Sequence, residues 1–367
     1  MIQAKKSLAA VEPYSPGRPI DEIKRQFGLE TVVKLASNEN PLGASPKAME
    51  AVKQSAETVF MYPDPDAYLL RHALAKHLGK KPEQFIFGTG SDGLIELICK
   101  TFLAEGDESI VASPSFSLYE LNILASGATA VSVPLNGTMA CDLPAMAEAI
   151  TEKTKVIFLC NPNNPTGAHY TKAEQEAFLQ AVPQHILVVV DEAYYEYAAE
   201  AEDYPDTLSV LEQHPNVVIL RTYSKIYGMA GLRIGYGISH PAIISQMEKV
   251  RPPFNVCSPA QVAAVAALED TEFLTRSVSE NRENRAFLEQ AFDSMGLSCA
   301  KSATNFIAVD TKQDSKKVYE ALLEKGYIVK GGHVLGMPGY LRVTVGTRAE
   351  CEGFIAALQA VLQSMKA

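Results

Sequence analysis

Val217-Val218-Ile219-Leu220-Arg221-Thr222-Tyr223-Ser224-Lys225-Ile226-Tyr227-Gly228-Met229-Ala230-Gly231-Leu232-Arg233-Ile234-Gly235-Tyr236 joins two kinds of sequence. Its first four residues are apolar and mostly β-branched, the pattern of a strand buried on both faces. A loop rich in hydroxyls and glycine follows, and it carries one lysine. A lone lysine is normally a solvated surface charge. Lys225 differs, because Thr222 and Ser224 precede it, its surroundings are mostly apolar, and Arg233 lies further along the same loop. An amine that is partly desolvated beside other cations has a lowered pKa, which a Schiff-base lysine requires. Arg233 offers a planar fork that suits phosphate.

The same pattern recurs outward from this stretch. Phe85-Ile86-Phe87, Ser109-Ile110-Val111, Lys155 to Leu159, Ile186 to Val190 and Ile234 to Ile238 read as further strands. Helices fit between them, for example Gly93 to Leu103 and Lys172 to Ala181. Buried apolar strands alternating with helices predict an α/β fold, a large mostly parallel sheet with helices on both faces. In such sheets ligands bind beyond the carboxyl ends of the strands, and polar residues cluster at those ends here.

Phe87 leads into Gly88-Thr89-Gly90-Ser91-Asp92-Gly93, literally G-x-G-x-x-G. A dinucleotide site needs an acidic residue at the end of the next strand, and Val111-Ala112-Ser113-Pro114 has none. Two readings remain, a helix N-terminus that binds some phosphate and a simple glycine turn. Leu159 leads into Cys160-Asn161-Pro162-Asn163-Asn164-Pro165-Thr166-Gly167, where paired prolines stiffen the loop. It is either a turn or a mount that lets the Asn164 amide donate to a ligand oxygen. Val190 leads into Asp191-Glu192-Ala193-Tyr194. A carboxylate ending an apolar strand is costly unless paired. Magnesium, a cationic ligand ring and a structural ion pair are all candidate partners for Asp191.

Beyond Arg251-Pro252-Pro253-Phe254-Asn255 the pattern changes to a helical region from Pro259 to Ser294, then short strands at Phe306 to Val309 and Leu341 to Val345. This predicts a smaller α+β domain over residues 251–367 beside a large domain over 41–250. Residues 1–40, with Pro13, Pro16, Gly17 and Pro19, are expected to form an arm outside the sheet that packs beside the small domain. The 33 Lys and Arg against 43 Asp and Glu give a net charge of −10, which argues against a nucleic-acid partner. No signal peptide or membrane-spanning segment is expected. The six scattered cysteines read as free thiols of a cytoplasmic protein. The histidines lack metal-ligand spacing, so no metal is expected. Tyr236 reads as core, and Glu196, Glu200 and Glu202 as a solvated face.

Asn161-Pro162-Asn163-Asn164-Pro165-Thr166-Gly167, Asp191-Glu192-Ala193-Tyr194, Ser224-Lys225 and Gly231-Leu232-Arg233-Ile234-Gly235 together resemble the pyridoxal-phosphate (PLP) aminotransferases of the aspartate aminotransferase fold. The resemblance runs from about Tyr14 to Gly346. Glu12-Pro13-Tyr14, Lys34 to Pro41, Met61-Tyr62-Pro63 and Tyr340 to Gly346 resemble the histidinol-phosphate aminotransferase branch. This implies fold type I of the PLP-dependent transferases and a homodimer. It implies a reaction that interconverts L-histidinol phosphate plus 2-oxoglutarate with imidazole-acetol phosphate plus L-glutamate in histidine biosynthesis. An aromatic amino-acid aminotransferase and an amino-acid-phosphate decarboxylase are the rivals on the same scaffold.

The resemblance also implies roles. Lys225 becomes the Schiff-base lysine and proton shuttle, and Asp191 the partner of the pyridine nitrogen. Asn164 and Tyr194 bond the ring 3-oxygen, and Phe116 stacks on the ring. Ser91, Asp92, Thr222, Ser224 and Arg233 hold the phosphate, with Tyr62 reaching it from the other subunit. Arg342 binds the anionic group of the substrate, and Tyr14 and Asn38 line the same pocket. The branch often carries Arg where this chain has Lys330, which keeps the charge and loses the fork. Lys330 is accordingly expected as a second cation for the substrate phosphate.

Overall fold

The structure, a computed structural model, describes residues 2, 5–9, 11 and 17–365. In chain order its strands are β1 Val33–Lys34, β2 Phe85–Gly88, β3 Glu108–Ser113, β4 Thr129–Pro134, β5 Thr154–Cys160, β6 Leu187–Asp191, β7 Val217–Thr222, β8 Gly235–Ser239, β9 Ser298–Cys299, β10 Phe306–Asp310, β11 Tyr327–Ile328, β12 Lys330–Gly331 and β13 Tyr340–Thr344. The larger sheet has the order β2-β8-β7-β6-β5-β3-β4. Its pairs are parallel except those of β8, which runs antiparallel to both β2 and β7.

β5, β6 and β7 are buried along nearly their whole length because helices cover both faces. Val188, Val190, Val217 and Ile219 face one core with Phe178, Ala260 and Ala264. Val189, Val218 and Leu220 face the other with Ile95, Ile98 and Met247. Continuous apolar strands are what two-sided burial requires. β4 escapes the sequence reading for the same reason. It is an edge strand, Thr129-Ala130-Val131-Ser132-Val133-Pro134, in which only Val133 is buried. The expected helix start at Gly93 moves to Gly90, and the region from Pro259 to Ser294 divides into Ser258–Leu268 and Thr271–Ser294.

A second sheet, β12-β13-β10-β9, packs on Leu288, Phe292, Phe354 and Leu358 of two helices. The change of core falls later than residue 250, because Val256, Ala260, Ala263, Ala264 and Ala267 are buried with the larger sheet. The expected arm also divides. β1 pairs in parallel with β11, and Ile23 packs on Leu323 and Ile328, beside the smaller sheet. Lys5 instead donates to the Ala125 carbonyl (3.1 Å) at the end of helix Leu118–Ser126, on the larger one. Among the described residues no helix is long and apolar enough to cross a membrane.

The loop after β7 is fixed to the segment after β1. Asn40 Nδ2 donates to the Ile226 carbonyl (2.7 Å), and the Ser45 amide to the Tyr227 carbonyl (3.1 Å). Gly228 sits at this contact with φ +66°, and a Cβ there would lie 1.9 Å from the Gly43 carbonyl oxygen. Neither the left-handed backbone nor the space admits a side chain. Gly228→Ala is expected to cost at least about 2 kcal/mol of stability, read as a fall in melting temperature. An unchanged melting temperature would show that the two segments separate freely.

Candidate active site

A cavity of about 620 Å³ opens at the carboxyl ends of β3, β5, β6 and β7, and residues of β12 and β13 close its far wall. Asn38, Ser91, Asp92, Phe116, Asn164, Asp191, Tyr194, Thr222, Ser224, Lys225, Arg233, Lys330 and Arg342 all line it. Of the remaining expected site residues, Tyr62 is 82% exposed and stacks on Phe254 (ring centroids 4.7 Å apart), away from the cavity of its own chain. Tyr14 lies outside the described residues.

One end of the cavity suits a phosphate. Helix Gly90–Phe102 begins there, so its free N–H groups and the positive end of its dipole face the cavity. Gly90 (φ +77°) allows close approach, since a Cβ would stand 2.7 Å from Arg233 Nη2. Arg233 bonds Asp92 Oδ2 (2.9 Å) and reaches Ser224 Oγ (3.4 Å), while Thr222 Oγ1 donates to Ser224 Oγ (3.0 Å). The Asp92 carboxylate therefore orients Arg233, and what it offers an anion is its backbone N–H in the first helical turn. β2 pairs only with antiparallel β8, so the glycine-rich turn is not part of a parallel βαβ dinucleotide unit.

Asp191 forms the floor. It is buried at the end of β6 and receives the Tyr119 hydroxyl on Oδ2 (2.7 Å) and the Ala193 amide on Oδ1 (3.1 Å). Burial pushes its acid up to about 6, and the two hydrogen bonds hold it back from rising further. Neither partner is a cation. The structural ion pair that the strand end invited belongs to the next residue, Glu192, which meets Arg221 at 2.8 Å. Tyr119 was not visible in the sequence. It lies on helix Leu118–Ser126, stacks on Phe158 (centroids 4.9 Å) and takes the edge of Phe116 (5.6 Å). Its only sequence signal is that it follows Phe116 by less than one helical turn.

Lys225 Nζ lies 3.4 Å from the Ser37 carbonyl and 5.7 Å from the centre of the Tyr194 ring. Burial, and then Arg342, bring its amine down to about 8. Near neutral pH a larger share of such amines is neutral than of ordinary lysines. The Tyr194 hydroxyl accepts from Asn38 Nδ2 (2.9 Å), and Asn38 in turn is bonded to Thr344 Oγ1 through both its amide N–H and its Oδ1. Asn38 takes a left-handed conformation (φ 57°), which asparagine tolerates.

The far wall carries two cations. Arg342 of β13 bonds Asn164 Oδ1 (2.6 Å) and the Ala36 carbonyl (2.6 Å). With its oxygen taken, Asn164 presents its amide nitrogen as the donor end. Lys330 stands directly opposite Arg342 in the β12–β13 register. Burial and then Arg342 lower the Lys330 amine.

Two surface expectations are corrected or placed. Glu196 is half-buried rather than fully solvated, and burial raises its acid to about 7 despite the nearby Arg221. Glu200 is exposed and pairs with Arg282 (3.1 Å). Tyr236 packs in the core against Phe85 and Tyr223.

Residues 30–358 match the family model described as aminotransferase class I and II. A histidinol-phosphate aminotransferase of Brevibacillus brevis is 47% identical over 361 residues, covering 98% of this chain and 99% of that protein. Among solved structures, the histidinol-phosphate aminotransferase of Sinorhizobium meliloti in complex with pyridoxal-5'-phosphate superposes with a TM-score of 0.88. It is 29% identical and covers 98% of this chain and 100% of that one. A Thermus thermophilus aspartate aminotransferase double mutant shares the fold, with a TM-score of 0.86 at 24% identity over 98% of this chain and 100% of that one.

The folded value of Asp191, about 6, lies above its ordinary 3.8. Between these values the folded chain keeps a proton that the unfolded chain has lost, so stability falls as pH rises through that window. Asp191→Asn removes the buried charge and keeps an acceptor for Ala193. The cofactor-free variant is expected to exceed the wild type in stability at pH 7.5 by on the order of 1–3 kcal/mol. The advantage should vanish only well below 3.8, where Asp191 is protonated in both states. Thermal melts at the two pH values check this, and equal melting temperatures at pH 7.5 would contradict it.

Proposed function

The chain belongs to the class I and II aminotransferases, and from that premise we propose that it moves the amino group of L-glutamate to imidazole-acetol phosphate, yielding L-histidinol phosphate and 2-oxoglutarate for histidine biosynthesis. PLP is its cofactor. The chemistry of the donor set fits PLP: an anion-binding helix end with Arg233, a buried carboxylate without a cation, and an amine of lowered pKa stand in one cavity.

When bound, PLP supplies a protonated ring that accepts the electron pair left when the substrate carbon loses its proton. The protein supplies the rest. Asp191 would hold a proton on the ring nitrogen through a charge-assisted hydrogen bond. Asn164 and Tyr194 would donate to the ring 3-oxygen, and Phe116 would pack on the ring. Ser91, Thr222, Ser224 and Arg233 hold the phosphate. Lys225 Nζ, neutral in a useful fraction near pH 7.5, takes the proton from the substrate α-carbon.

The observation that carries the substrate assignment is the cross-strand pair of Lys330 and Arg342 in the cavity wall. Glutamate presents a carboxylate to this wall, and histidinol phosphate presents a phosphate ester with nearly twice the charge. Arg342 serves both anions through its fork, and the larger charge draws on Lys330 as well.

We infer a homodimer from the surface that holds Tyr62. Phe60, Tyr62 and Leu69 are 83%, 82% and 70% exposed, a concentration of large apolar side chains that favours a protein partner. A second copy on this surface would bring Tyr62 to the neighbour's phosphate site. The six free cysteines, four of them buried, support a reducing, cytoplasmic compartment.

Borohydride treatment of the holoenzyme is expected to fix PLP on the peptide that contains Lys225. A label on any other peptide would refute the assignment. Lys330→Ala should lower kcat/KM for histidinol phosphate by a factor corresponding to roughly 1.5–3 kcal/mol and affect phenylalanine less. An unchanged ratio between the two substrates would remove Lys330 from phosphate recognition.

A further inference from the structure

A buried charge cluster lies on the opposite face of β6 and β7 from Asp191 and Thr222, and the chemistry above does not use it. Alternation along β7 places Val217, Ile219 and Arg221 on one face, and Val218, Leu220 and Thr222 on the other. Just past the end of β6, the Glu192 amide donates to the Leu220 carbonyl (2.8 Å). Its carboxylate turns to Arg221, whose Nε and Nη2 lie 2.9 and 2.8 Å from Oε2. The two side chains are 1% and 3% exposed. The guanidinium carbon stands 3.4 Å from the centre of the Tyr195 ring.

Each member of this cluster adjoins a cavity residue in the chain. Glu192 follows Asp191, Arg221 precedes Thr222, and Tyr195 follows Tyr194. Removing two charges from water costs several kcal/mol per ion, and an apolar pair of similar volume is often as stable or more so. Stability alone therefore gives little reason for the pair. Geometry gives a better one, because the Nε hydrogen bond and the buried charge pair tie Glu192, just past the end of β6, to the end of β7.

We propose that Glu192 and Arg221 are positioning residues whose ion pair locks the ends of β6 and β7. The lock holds Asp191, Tyr194 and the Thr222–Lys225 loop in place around the cofactor. The inference rests on the PLP reading of the cavity but not on the choice of substrate.

The test uses two variants of the full chain, Glu192→Gln and the double replacement Glu192→Leu with Arg221→Met. For each, the melting temperature is measured without cofactor, the dissociation constant of PLP by titration, and kcat and KM with histidinol phosphate per bound PLP. Glu192→Gln should weaken PLP binding and lower kcat by about tenfold each, with KM within about twofold of wild type. The double variant, free of buried charge, should melt at or above the wild-type temperature yet keep the weakened PLP binding and the lowered kcat. A double variant with wild-type PLP affinity and kcat would overturn the proposal and make the pair purely structural. If the substrate assignment alone is wrong, turnover is absent in the wild type as well, while the PLP dissociation constants still separate the variants.

Discussion

The carboxylate of Asp191 is the constraint around which the site is arranged. It ends a strand whose other residues are apolar and buried, so its charge is held where little water reaches it. The Tyr119 hydroxyl and the Ala193 amide supply hydrogen bonds without a positive charge. They moderate the penalty and leave the acid raised to about 6. A ligand that brings a cation to this spot recovers what the fold gave up. That is how a site gains affinity and a specific protonation state from one placement.

The remaining parts follow from how the chain brings charges of both signs to one sheet edge. Parallel strands deliver their carboxyl ends together, so Asn164, Asp191 and Thr222 arrive side by side without long loops. β8 returns antiparallel to β7 and closes the loop that carries Lys225 and Arg233. The smaller sheet then presents Arg342 and Lys330 from across the cavity. Arg342 does double service, since it orients Asn164 by hydrogen bonding and lowers the Lys225 amine by its charge.

Much of this was legible in the sequence because continuous apolar strands ran straight into residues that have no business in a core. Asp191, Lys225, Arg233 and Asn164 stood out by that contrast alone, and the resemblance then gave them roles. What was hidden depended on tertiary packing. Tyr119 acquires its meaning only when helix Leu118–Ser126 lies against the floor of the cavity. β4 is an edge strand and lacks the apolar run. Glu196 looks like a solvated acid until the fold leaves it half-buried near Arg221. The helix from Ser258 to Leu268 was assigned to the smaller domain because a proline-rich break precedes it, yet its alanines pack tightly on helix Pro46–Ser55 of the larger one.

The claim that Asp191 shapes the cofactor by holding a proton on its ring can be read directly. With PLP labelled at the pyridine nitrogen, the 15N chemical shift of the resting holoenzyme reports whether that nitrogen carries a proton. The account predicts a protonated ring at pH 8 in the wild type. A wild-type ring that is deprotonated at pH 8 would contradict it.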